Sequence, residues 1–213
     1  MNRLDLLVTS HPHQDHFGNS VHVLRRIPTA VVVDSGFVTN SPTQLRLLEE
    51  VKKQRIPFVN VGARNLAGTS TDLGEGVSLR YLAPKLPYLS GTDSDPNNNS
   101  VVLKVSLGRV SFLFTGDMEE EERARLLAST SAEDLRATVL KVAHHGSHNG
   151  TDAAFLARVR PEVAVISCAA DNRYGHPHRA TLDALARARV RVRRTDRHGT
   201  ITVATDGNTY TVR

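Results

Sequence analysis

Ser10-His11-Pro12-His13-Gln14-Asp15-His16-Phe17-Gly18 is the stretch on which the reading of this chain turns. Four potential metal ligands fall within six residues, directly after a short apolar run at residues 4–9 (LDLLVT) that reads as a buried strand. At a strand exit alternate residues point the same way, so His11 and His13 share a side while Asp15 and His16 follow on the turn. Neutral imidazoles with a carboxylate are a donor set that suits Zn2+ or Mn2+. A solvated, histidine-rich loop is the alternative, and the density and spacing of the donors speak against it.

Three further segments repeat the pattern of a strand followed by chemistry. Phe112-Leu113-Phe114-Thr115-Gly116-Asp117 is an apolar strand that delivers one carboxylate at its tip, and such a group can bridge two ions about 3.5–4 Å apart. By itself it would read as a turn aspartate before a helix. Residues 140–148 (LKVAHHGSH) place the pair His144-His145 at another strand exit, and residues 174–178 (YGHPH) follow the apolar run 163–167. Eight of the ten histidines therefore lie in three loops, each after an expected strand. His22 and His198 stand apart and read as surface or structural residues.

Around these loops, alternating or apolar runs predict strands at 30–33, 77–83, 101–107, 110–115, 139–143, 163–167, 190–194, 200–204 and 209–212. Gly108-Arg109 is expected to turn a hairpin. Helical patterns occupy 21–26, 44–54, 119–128, 152–159 and 180–188. Hairpins mixed with strands that alternate with helices predict a layered α/β or α+β architecture, a single domain over residues 1–213. At 213 residues the chain is long enough for one substantial core and marginal for two.

Composition narrows the function classes. Hydrophobic residues are 39% and charged residues 23%, as in ordinary globular chains, and no apolar run approaches the roughly 20 residues of a membrane-spanning helix. No secretory leader pattern is visible. One cysteine, Cys168, excludes an internal disulfide framework and a cysteine-rich zinc module. The net charge is +5, and residues 151–213, with eleven arginines against six acids, carry all of it. Arginine forks match phosphate geometry, and a basic surface favours a polyanionic partner. A solvated arginine-rich helix face is the bland reading of the same residues.

HPHQDH resembles the HxHxDH signature of the metallo-β-lactamase superfamily. Together with DPNNNS (95–100), FTGD (114–117), LKVAHHGS (140–147), NRYGHPH (172–178) and TDRHGTITV (195–203), it resembles the metallo-β-lactamase-like domain of ComEC-type DNA-internalisation competence proteins, over residues 4–212. The resemblance implies an αββα sandwich with metals at one sheet edge. It implies a metal-dependent hydrolase, a nuclease domain that cleaves DNA phosphodiester bonds during uptake with two divalent metal ions, Zn2+ or Mn2+, and no other cofactor. His11 and His13 would hold one ion, Asp15, His16 and His144 the other, and Asp117 would bridge them. A hydroxide held between the ions would attack phosphorus. His145 would face the substrate, steadying a phosphoryl oxygen or protonating the leaving alkoxide, and counts with Asp15 as catalytic. Asn99, Ser147, His176, His178 and Arg179 would bind substrate, with a purely structural role for His178 equally open.

The implied partners are DNA, single-stranded in this reading, and the membrane channel portion of the same parent protein. The implied place is a soluble domain of a membrane-anchored parent on its extracytoplasmic side, or the cytoplasm if the domain stands alone. Two other functions fit the same residues: a stand-alone hydrolase of small phosphodiesters, thioesters or lactams, and a non-catalytic nucleic-acid-binding remnant. Two departures from the superfamily pattern bear on these expectations. Asn97-Asn98-Asn99-Ser100 stands where many members place a histidine, and asparagine is a weak zinc ligand, so either the first ion is loosely held or this segment is a turn without metal contact. The strands that normally precede HxHxDH are also missing, so the sandwich is expected to lack its first N-terminal strands.

Overall fold

The computed structural model describes residues 2–213. The apolar run forms β1 (Leu4–Val8), and the histidine loop winds into a one-turn helix, α1 (Gln14–Phe17), before α2 (Ser20–Arg26). After β2 (Thr29–Asp34) come α3 (Pro42–Lys53) and β3 (Phe58–Asn60). These strands pair in parallel in the order β1-β2-β3. Next come β4 (Ser70–Gly74) and β5 (Val77–Ala83), a short 3-10 turn at Asn97–Asn99, and then β6 (Val102–Leu107) and β7 (Val110–Phe114). This run is an antiparallel meander.

The second half alternates helices with strands: α4 (Glu120–Ser129), α5 (Ala132–Leu135), β8 (Val139–Lys141), α6 (Ala153–Val159), β9 (Val163–Ile166), α7 (Arg179–Arg187) and β10 (Arg191–Arg194). β7 to β10 pair in parallel, which completes a seven-stranded sheet in the order β10-β9-β8-β7-β6-β5-β4. A last short helix, α8 (Thr195–His198), leads to the two-stranded ribbon of β11 (Val203–Thr205) and β12 (Tyr210–Val212).

Strand alternation sorts the apolar side chains into layers. On one face of the small sheet, Leu7 and Val32 pack on Phe17, Leu24, Leu47 and Val51 of the helices. On its other face, Leu6, Val8, Val31 and Val33 meet Leu79, Tyr81, Leu103 and Val105 of the large sheet. The far face of the large sheet (Leu82, Val102, Leu113, Leu140, Ile166) packs on Leu126, Phe155, Val159 and Leu185 of α4, α6 and α7. The order helix, sheet, sheet, helix is the αββα sandwich that the resemblance implies.

The two sheets differ in width, and the difference leaves part of the sandwich open. Three strands face seven, and β1 is a free edge. Beyond it a cleft of about 440 Å³ is lined by Leu6, Val8, Leu79, Leu103 and Phe114. Phe114 is 43% exposed although its strand lies in the middle of the sheet.

Several boundaries differ from the sequence expectation for identifiable reasons. The strand expected at 139–143 stops at Lys141, where its ladders to β7 and β9 end, and a 3-10 turn begins at Ala143. The strand expected at 200–204 begins at Val203. The helix expected from residue 44 starts at Pro42, where proline suits a first helical position. β3 and β4 gave no sequence signal, since one is three residues long and the other is exposed at every position.

One packing feature has a testable pH signature. Glu122 on α4 is buried, and both its carboxylate oxygens lack a hydrogen-bond partner. Burial pushes its pKa well above the ordinary value of 4.5. A carboxyl shifted this way adds stability below its unfolded pKa and loses it as pH rises through the folded value. Glu122→Gln is therefore expected to raise Tm at pH 8, with a gap that narrows towards pH 4. Relief of about 1–3 kcal/mol is expected, at roughly 2–4 °C per kcal/mol for a chain of this length. Calorimetric scans across pH check this.

Candidate metal centre

The HPHQDH loop is pinned between the two sheets. Thr9 N donates to Val33 O (2.9 Å), Thr9 Oγ1 donates to Asp34 Oδ2 (2.7 Å), and Val101 N donates to Ser10 O (2.8 Å). Ser10 Oγ lies 3.1 Å from Nδ1 of both His11 and His16. That contact turns the Nε2 atoms of both rings to one side. There His11 Nε2 stands 3.9 Å and His16 Nε2 3.2 Å from Asp117 Oδ2. His13 joins them, its Nδ1 lying 3.1 Å from His11 Nε2.

Asp117 arrives from the end of β7 through Gly116, whose φ of +52° favours glycine. A Cβ at Gly116 would also come within 2.9 Å of the Ser100 side chain and 3.0 Å of Ser10. Here close approach and backbone conformation both require glycine. Beyond β8 the chain runs through His144 (φ 46°, ψ 50°) and His145 (φ 53°, ψ 18°), two consecutive left-handed residues that carry side chains. Such strain persists only where the surroundings impose it, and it clusters at functional sites. Both rings turn back towards Asp117: His145 Nε2 is 3.5 Å and His144 Nε2 3.8 Å from Oδ2.

Four imidazoles from two distant loops thus converge on one buried carboxylate oxygen. The other oxygen, Asp117 Oδ1, is buried with no hydrogen-bond partner. An orphaned carboxylate oxygen beside a ring of nitrogen donors fits divalent metal ions better than it fits a proton network. Asp15, His16, Asp117 and His145 each offer a ligand atom within 4.8 Å of the others. His145 Nε2 also lies 3.2 Å from Asp15 Oδ2.

Partners behind the rings set their orientation. His145 Nδ1 lies 2.8 Å from Ser167 O, and His144 Nδ1 lies 3.1 Å from Glu119 Oε1. Oxygens at Nδ1 leave Nε2 free to ligate, as behind metal-binding histidines in general. Burial pushes the His11 pKa down to about 3, with Asp117 opposing, so this ring is a neutral donor at pH 7. Burial alone would raise Asp117, but hydrogen bonds from His145 and His16 hold it far below the usual carboxylate range. The same bond to Asp117 raises His145. For His144, burial pulls down and Glu119 with Asp117 outweighs it, so its pKa also rises. Glu119→Gln is therefore expected to move the His144 titration to lower pH in the metal-free protein, as an NMR titration would record.

The remaining candidates separate into those that reach the centre and those that do not. His176 reaches it: its ring centroid is 5.4 Å from that of His144 and 6.3 Å from that of His145. Asn99 is spent on the backbone of Leu89 and Asp95. Ser147 is buried and ties the loops together, its N bonding His144 O and its O accepting from Thr181 Oγ1. His178 is a staple between loops, with Nδ1 3.0 Å from His148 N and Nε2 3.1 Å from Tyr174 O. Arg179 is exposed and paired with Asp183. Sequence reasoning missed Ser10 and Glu119. The signal for Glu119 was available in Asp117-Met118-Glu119, two acids at alternate positions after a strand.

No protein-family profile matches the chain. ComE operon protein 3 of Bacillus subtilis is 32% identical over 200 residues, covering 93% of this chain and 24% of that protein. Competence protein ComA of Neisseria gonorrhoeae is 28% identical over 199 residues, covering 93% and 25%. Among solved structures, a metal-dependent hydrolase from Parabacteroides distasonis superposes with a TM-score of 0.55 at 12% identity, covering 92% of this chain and 78% of that one. The chain has the metallo-β-lactamase fold, and over nearly its whole length it is similar to one part of ComEC-family competence proteins. The chain spans about a quarter of the length of these curated relatives. No helix among its described residues is long and apolar enough to cross a membrane.

Proposed function

We propose that this domain is a metal-dependent phosphodiesterase that cleaves single-stranded DNA during uptake, working as part of a longer polypeptide with a membrane channel on its extracytoplasmic side. The convergence of His11, His16, His144 and His145 on Asp117 Oδ2 carries this reading. His11 and His13 would hold one divalent ion, and Asp15, His16 and His145 a second, with Asp117 shared between them. His144 and His145 both reach Asp117 Oδ2, and we assign His145 to this ion because its Nε2 lies in one group with Asp15 and His16. Bound divalent ions, Zn2+ or Mn2+, supply a water acidic enough to act near neutral pH and charge to balance the developing phosphorane.

His144 then takes the proton-donor role. Its Nε2 faces Asp117 Oδ2 at 3.8 Å and its Nδ1 lies 3.1 Å from Glu119 Oε1, which places the ring where it could hand a proton to the leaving oxygen. Asp15, 64% exposed at its side chain, stands at the open rim where a strand can enter. The names of the relatives, a competence protein and a ComE operon protein, support DNA as the substrate. The test is cleavage of oligonucleotides and plasmid against bis-p-nitrophenyl phosphate and nitrocefin, with Mn2+ or Zn2+ added. Cutting of single-stranded oligonucleotides is expected. Turnover of nitrocefin alone would move the domain among small-molecule hydrolases, and DNA binding without any cleavage would make it a non-catalytic module.

A further inference from the structure

The loop after β9 displays a column of flat groups that leads outward from the metal centre. The rings of His145 and His176 are near parallel, with centroids 6.3 Å apart at 18°. Tyr174 continues the column, 5.6 Å from His176 at 23°. The Arg173 guanidinium lies 5.0 Å from the Tyr174 ring centroid and donates to its hydroxyl at 2.9 Å. At the inner end, His145 Nε2 is 3.5 Å from Asp117 Oδ2.

Tyr174 has no packing reason to be where it is. It is 60% exposed and belongs to none of the three apolar clusters. Its loop is nevertheless held firmly. Asn172 Nδ2 donates to Ala169 O and His176 O at 2.7 Å each, and His176 N returns a bond to Asn172 Oδ1 at 2.9 Å. His178 Nε2 lies 3.1 Å from Tyr174 O. An exposed aromatic ring on a pre-ordered loop loses little freedom when it binds a flat partner. Arginine beside it adds a cation for the neighbouring phosphate. Several other arginines of the basic half are already engaged, Arg179 with Asp183, Arg194 with Asp196 and Arg158 with Thr130 O.

We infer that Tyr174, exposed and backed by His176, is a stacking platform for an unpaired base next to the scissile phosphate, the base displacing the Arg173 guanidinium from the ring onto that phosphate. The inference rests on the phosphodiesterase reading above and deepens it. Every base presents a π-face, so the platform accepts any sequence, whereas bases within a duplex are already stacked and cannot use it. The platform therefore selects single strands. It also sets the distance from an extruded base to the metal centre, at the end of the ring column.

The experiment uses the metal-free protein, so that the strand stays intact, and a single-stranded oligonucleotide carrying 2-aminopurine. Anisotropy reads binding, and quenching of 2-aminopurine reads stacking. Tyr174→Ala is expected to weaken binding by roughly 5- to 150-fold and to abolish the quenching. Tyr174→Phe, which keeps the ring, is expected to retain both. Equal binding and quenching by the Ala variant would overturn the platform, and so would a Phe variant that fails as the Ala variant does, since the hydroxyl would then be the contact. If the unmodified protein cuts oligonucleotides in Mn2+ while the Ala variant binds normally, the platform falls and the nuclease reading stands. If the unmodified protein neither binds nor cuts DNA, both fall.

Discussion

Asp117→Asn is expected to weaken hydrolysis and divalent-metal binding together. The substitution keeps the shape of the side chain and removes the charge on which four imidazoles converge. Loss of a single preorganised electrostatic group costs roughly 10²–10³ in rate, and Asp117 would serve both ions, so the fall is expected at the upper end of that range or beyond. The metal-free variant carries a second signature. Asp117, with its pKa held low, stabilises the fold above its unfolded value of 3.8 and loses that effect as pH falls through the folded value. His144 and His145, with pKa values raised, stabilise it below 6.5 and lose the effect as pH rises through theirs. All three are charged between about 3.8 and 6.5, and Asp117→Asn should be least stable relative to the unmodified chain in that window. Calorimetric titration with Mn2+ and thermal scans at pH 5 and pH 9 check the two signatures separately.

The other large effect is on the scaffold. Phe155 on α6 is fully buried in the largest apolar cluster, among residues of β8, β9, α4 and α7. Truncation to alanine leaves a cavity that the parallel strands and their helices cannot fill, at a cost of about 3–5 kcal/mol. In a chain of this length that lowers Tm by roughly 2–4 °C for each kcal/mol. Chemical denaturation at fixed pH measures it. Because β8 delivers His144 and His145, the loss should also loosen the metal centre. Asp117→Asn, by contrast, should leave the apolar packing untouched.

Much of this centre was legible in the sequence, and the illegible parts share a cause. The HPHQDH spacing, the acid at the tip of β7 and the histidine pair after β8 are short-range patterns. Each follows an apolar strand, so their meeting at one rim could be anticipated. The way the His144 and His145 rings turn back towards Asp117 could not be, because it is set by two left-handed residues that no periodicity announces. Glu119 reads in sequence as an ordinary acid at the start of a helix, where the dipole favours it. Only the folded chain shows that it stands 3.1 Å from His144. Asn99 looked like a site residue because of its neighbours in the chain, yet its amide is consumed by local backbone. β4 escaped notice for a simpler reason: it is a paired edge strand with no buried face to leave an alternating pattern.

Anomalous diffraction at the zinc edge, from crystals of the unmodified chain soaked in Zn2+, tests the central claim most directly. The account predicts a peak about 2.0–2.2 Å from an oxygen of Asp117, with Nε2 of His16 and His145 completing its surroundings, and a second peak beside His11 and His13. A well-folded crystal with no peak near Asp117, or with zinc bound only at surface histidines such as His22 or His198, would contradict it.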